Sequence, residues 1–182
     1  MNKYVEATME RNKILINRAP VLTLWASVVA ERLGFKHDEA LSLGKAVAGL
    51  TAQSKGQRLG IFKPTPKELK KVREHERGEE FRVELLGRAL PAVNTDQGVR
   101  AVVESKPIEP AGVERYLVSK FGDALLEVRK AMTELANALK PDVLAQKGFG
   151  LYEQFRPTVP AGLKGWGAAG DLDLGRILAL AT

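Results

Sequence analysis

The chain has no cysteine in its 182 residues, which excludes thiolate catalysis, cysteine-ligated zinc and a disulfide framework. Histidine is nearly absent too. Only His37 and His75 occur, and His75-Glu76 lacks the second histidine that a zinc-dependent hydrolase helix needs four residues later. No serine stands in a Gly-x-Ser-x-Gly elbow. Long apolar runs are also missing. Val21 to Ala30 is interrupted by Thr23 and Ser27 and bounded by Arg18 and Glu31, well short of the roughly 20 residues a bilayer requires. At the amino terminus, Glu6, Glu10 and Arg11 occupy the place of a signal peptide's apolar core. A cytoplasmic protein with no membrane association and no implied cofactor or metal is expected.

The residues present suit a globular chain, with 45% hydrophobic and 27% charged. Net charge is +6, and residues 1 to 60 hold nine Lys or Arg against five Asp or Glu. That basic bias can favour a polyanion, and it is equally ordinary for a soluble protein.

Helical periodicity dominates. Pro20 is placed to open a helix to Leu33, with Thr23, Ser27 and Glu31 as a narrow polar stripe four residues apart. Gly34 offers a C-terminal cap, and Asp38 an N-cap for a second helix to about Ser54. On that helix Gly44, Ala48 and Ala52 form a smooth column, which predicts a close helix contact inside the domain or across a homodimer seam. Residues 63 to 80 mix both charge signs, as a solvated helix or linker does. Phe81 to Leu85 and Val99 to Val103 alternate around the turn-like Asp96-Gln97-Gly98, which predicts a small β-hairpin. Apolar positions at helical spacing return from Val113 to Leu139, with a break at Gly122-Asp123, and a further helix should place Leu144, Leu151 or Tyr152, and Phe155 on one side. The expected fold is mainly α: one helical domain over residues 1–182 with a small β-hairpin insertion at 81–103, divisible into 1–62, 81–103 and 108–182.

Four features carry candidate chemistry. Ala30, Gly34 and Ala40 fall at helix-turn-helix intervals, so residues 30–55 are a candidate DNA-binding unit in which Lys36, His37, Ser42 and Lys45 would face the major groove. Asp38 and Glu39 oppose this, since they bring negative charge towards phosphates, although both suit a helix N-terminus. The loop Ser54 to Gly60 could wrap an anion with Lys55 and Arg58, and Arg156 is a third candidate for the same role. It is no Walker loop: Gly44-Lys45 lacks the upstream glycine and the following Ser or Thr. Asp171 and Asp173 suit a hard cation or, more commonly, a helix cap. Trp166, between two glycines, is expected to pack as a latch on the helical core.

The Phe155-Arg156-Pro157 corner, Gly165-Trp166-Gly167, the Arg18-Ala19-Pro20 helix start and the stretch Tyr116 to Leu125 together resemble a family of bacterial conserved hypothetical proteins. The resemblance extends over the whole chain. It implies a bacterial cytosolic protein and no activity. The leading expectation is a non-catalytic binding or regulatory module, acting as a homo-oligomer or with a protein partner. A DNA-binding protein using residues 30–55 is the first alternative, and an enzyme acting on a small anionic ligand near Lys55, Arg58 and Arg156 the second.

Overall fold

A helix with no polar face has to be covered on every side, and the chain is arranged around one. The computed structural model describes residues 13–58, 79–159 and 168–182, with side chains described only as far as 52 in the first stretch. In it α1 (Arg18–Arg32) is buried without interruption from Pro20 to Ala30. Helices α2 (His37–Arg58), α3 (Pro110–Phe121), α4 (Leu125–Asn137) and α5 (Pro141–Phe155) all pack on α1, and a short 3-10 turn, Gly122–Ala124, joins α3 to α4. The expected polar stripe is largely a packing seam. Thr23 and Ser27 are buried, and each hydroxyl bonds a carbonyl of its own helix, Thr23 Oγ1 to Ala19 at 2.9 Å and Ser27 Oγ to Leu24 at 3.0 Å.

Between α1 and α2 the chain turns in a Schellman motif. Gly34 has φ +111°, its N–H donates to Glu31 and the N–H of Phe35 donates to Ala30. The two helices then run back along each other and nearly touch at Gly44. A Cβ there would lie 2.6 Å from the Thr23 carbonyl oxygen and 2.9 Å from the Ser27 nitrogen. The first member of the small-residue column is therefore consumed inside the chain.

The strands correct the mainly α, all-helical expectation with its single small hairpin. Antiparallel β2 (Phe81–Leu85), β3 (Arg88–Thr95), β4 (Gly98–Val103) and β5 (Lys106–Pro107) form a four-stranded sheet in that order. A second, two-stranded sheet joins β1 (Lys13–Asn17) to β6 (Ala169–Asp173), after which α6 (Leu174–Leu180) starts. The fold is α+β. Strand β3 escaped notice because Ala89, Pro91, Ala92 and Asn94 are poor strand formers. Pro91 is nevertheless accommodated. Leu86 and Gly87, both at positive φ, make a two-residue hairpin loop. Counting back from it puts Arg82↔Pro91 in a non-hydrogen-bonded pair, and the β3–β4 ladder begins one residue later, at Ala92↔Ala101.

Two side chains of α2 finish the open edge of β4. Ser42 Oγ accepts from the N–H of Ala101 at 2.9 Å and donates to the carbonyl of Ile108 at 2.8 Å. Glu39 Oε2 accepts from the N–H of Val99 at 2.8 Å, while its Oε1 accepts from the N–H of Lys36 at 2.9 Å and caps the helix. Residues three apart on the helix thus satisfy strand N–H groups two apart on the sheet. One apolar cluster, running from Ile16 to Ile177, takes in Leu85, Leu90 and Ala101 of the sheet together with the helices.

Two predictions follow from these contacts. Gly44→Ala should destabilise by about 1 to 3 kcal/mol, because the obstructing atoms are backbone, whereas Gly49→Ala on the same helix, with open space around it, should stabilise by about 0.5 to 1 kcal/mol. Urea denaturation of both variants checks the opposite signs. The second concerns pH. The N–H groups of Val99 and then Lys36 hold the Glu39 carboxyl below its ordinary range. Its contribution is therefore present above the unfolded-state pKa, about 4.3, and is lost as pH falls through the lower folded value. Glu39→Gln should cost stability at neutral pH and flatten the acid limb of a plot of urea midpoint against pH.

Candidate functional site

Two of the singled-out motifs meet, though 139 positions separate Arg18 from Pro157. Arg18 is the first residue of α1, which has no side-chain cap and no acidic residue in its first turn, so the positive end of the helix dipole is not neutralised there. Its Nε donates to the carbonyl of Pro157 at 3.2 Å. Arg156 ends α5, where its N–H donates to the carbonyl of Tyr152 at 2.7 Å, so the two side chains stand one turn apart on the same helix. The following residues are clamped: Thr158 exchanges both backbone hydrogen bonds with Asp171 of β6, at 3.1 and 3.2 Å. At Gly170 a Cβ would run into the Thr158 backbone, so only glycine allows that approach.

Beneath the corner lies an aromatic stack. Trp25 and Phe155 meet edge to face at 5.3 Å between ring centres, and Phe155 meets Tyr152 likewise at 6.0 Å. The indole of Trp25 donates to the Gly148 carbonyl at 2.9 Å. Gly148 also admits Leu86 from the β2–β3 turn, whose Cδ2 stands 2.5 Å from where a Cβ would be. The stack fixes α5 against α1 and thereby Arg156 against Arg18.

Electrostatically the corner is unbalanced. Burial, then repulsion from Arg156, lowers the Arg18 guanidinium from its ordinary value. Tyr152 is 1% exposed, and its hydroxyl has no hydrogen-bond partner among the described residues. Burial pushes its phenol far above the usual range, against the pull of Arg18 and Arg156 and with a small contribution from Glu153. Glu153 makes no ion pair with either arginine; among the described residues the ion pairs are His37 with Glu31, Arg82 with Glu80 and Arg129 with Glu114. Among the described residues no carboxylate pairs with either guanidinium of the corner, and its free side-chain groups are two cationic donors and one hydroxyl that can donate or accept.

The other candidate residues fall elsewhere. Ser42 is fully buried against the sheet. Lys45 is half-buried with its Nζ 3.6 Å over the Tyr116 ring, and burial, with Lys120 adding repulsion, lowers its pKa. Lys36 and His37 are exposed at the helix start, where His37 Nδ1 contacts Glu31 at 2.5 Å. From Ala40 to Ala48 only Lys45 escapes burial, so α2 offers no continuous face to a groove. The side chains of Lys55 and Arg58, His75, and Trp166 with its expected docking lie outside the described residues or side chains. Asp173 caps α6 by accepting from Gly175 at 2.9 Å. An open cleft of about 270 Å³ between α1 and α4 contains Arg32, but that guanidinium is committed to the carbonyls of Ala136 and Leu139. Sequence reasoning named Arg156 and missed Arg18 and Tyr152 as its neighbours. The only signal was that both arginines stand in motifs already singled out.

Comparison with protein-family models, curated proteins and solved structures returned no match. Among the described residues no helix is long and apolar enough to cross a membrane.

A buried, unpartnered hydroxyl costs stability, and removing it relieves that cost. Tyr152→Phe is therefore expected to leave the melting temperature unchanged or raise it by a few degrees. A drop of several degrees in differential scanning calorimetry would reveal a partner for the hydroxyl.

Proposed function

We propose that this chain is a non-catalytic binding module of the bacterial cytosol, and that it takes up a small anion at the Arg18–Tyr152–Arg156 corner. One observation carries the reading: the hydrogen bond from Arg18 to the Pro157 carbonyl brings Arg18 beside Arg156, next to a buried hydroxyl without a partner, with no carboxylate paired to either arginine among the described residues. Uncompensated like charge is unfavourable in the empty protein and favourable once an anion is bound. An aromatic stack and a paired strand hold the arginine-bearing corner in place, as a preformed binding site requires. The homodimer seam first suggested by the small-residue column gains no support from Gly44, whose neighbour is α1 of the same chain.

Sulfate titration tests the proposal. An anion that binds only the folded state stabilises it saturably, whereas general salting-out stabilises every variant alike. At matched ionic strength, sulfate in place of chloride should raise the melting temperature of the wild-type chain more than that of Arg156→Gln. An equal response from both proteins would refute the anion site.

A further inference from the structure

The geometry points to a tetrahedral oxyanion of charge near −2, a phosphate or phosphate ester, as the ligand of this corner rather than a carboxylate. The inference rests on reading the corner as an anion site, and adds which anion. Arg18 has spent its Nε on the Pro157 carbonyl, which leaves its terminal nitrogens as donors. Arg156 has made no side-chain hydrogen bond among the described residues and offers its whole fork. Tyr152, 1% exposed, has a hydroxyl proton and no acceptor for it among the described residues.

The donors come from separate elements. Arg18 approaches from the start of α1, Arg156 from the end of α5, and Tyr152 from one turn deeper on α5. A carboxylate has two oxygens in one plane, and a single guanidinium fork engages both of them. A phosphate has three terminal oxygens arranged in three dimensions, so each donor group finds its own acceptor. Charge leads to the same ligand. Arg18 and Arg156 supply two positive charges, and a phosphate dianion balances both where a carboxylate balances one. Among the described residues Glu153 is the acidic group whose charge acts on Tyr152, and it is exposed and forms an ion pair with neither arginine.

Isothermal titration calorimetry of the full chain with inorganic phosphate, glycerol phosphate, sulfate and acetate distinguishes the outcomes. At about pH 8, phosphate and sulfate should each bind at least about tenfold tighter than acetate, the margin expected for one additional charge-assisted hydrogen bond. Phosphate should weaken as it takes up a proton below about pH 6 to 7, while sulfate, ionised throughout, should not. Tighter binding of inorganic phosphate than of glycerol phosphate identifies the free ion, and the reverse order identifies an ester; either order supports the inference. Tyr152→Phe should lower phosphate affinity about tenfold and leave acetate unchanged, so the ratio of the two falls. Arg156→Gln should weaken both. If acetate binds as tightly as phosphate and Arg156→Gln abolishes both, the tetrahedral ligand is wrong and the anion site survives. If none of the four ions binds, both are wrong.

Discussion

The arrangement depends on the burial of α1. From Pro20 to Ala30 the helix has no side facing water, so each direction around it must be filled by another element, and every polar group on it must be satisfied without solvent. Thr23 and Ser27 bond their own helix backbone, and Trp25 reaches the carbonyl of Gly148. The hydroxyl-bearing positions are also the narrow ones. They let α2 approach until Gly44 lies against the backbone of Thr23 and Ser27, which a larger residue at position 44 would prevent.

Once α2 is held that close, it can serve the sheet. An exposed strand edge offers unpaired N–H groups, and β4 has such groups at Val99 and Ala101. Glu39 and Ser42 accept from them as a further strand would, and short β5 takes over beyond. The sheet is anchored a second time through Leu86, a residue at positive φ that fits against α5 at Gly148. The four-stranded sheet and the helices therefore share one apolar core, and beyond it the side chains of Glu39 and Ser42 on α2 and of Leu86 against α5 tie them together.

Much of the helical framework could be read from the chain, since long periodic segments with proline at the start and glycine at the end leave few alternatives. Pro110 and Pro141 stand at helix starts in the structure, and Gly122 opens the 3-10 turn that separates two helices. The strands were harder for a physical reason. Strand β6, Ala169 to Asp173, has glycine and two aspartates where β-branched residues would signal a strand, and it exists because β1 and Thr158 supply hydrogen bonds on both sides. Ser42 misled in the opposite way. On a helix its spacing suggested an exposed position, and only the sheet beside it, which the sequence pattern did not place, makes it a buried hydrogen-bonding link. The corner residues share that limit: Arg156 is visible as a cation, but its closeness to Arg18 depends on where α1 and α5 cross.

That crossing also explains why charge collects where it does. Arg18 lies at the point where α1 leaves the core, and Arg156 at the point where α5 does, so both guanidinium groups reach partial solvent while their helices converge on the stack of Trp25, Phe155 and Tyr152. Packing alone would be served as well by phenylalanine at position 152, because the tyrosine ring fills the space and its hydroxyl gains nothing from the described residues. A tyrosine there, beside two arginines, is a local departure from what stability favours. Departures of this kind occur at functional sites, and here the two guanidinium groups only donate while the hydroxyl can donate or accept.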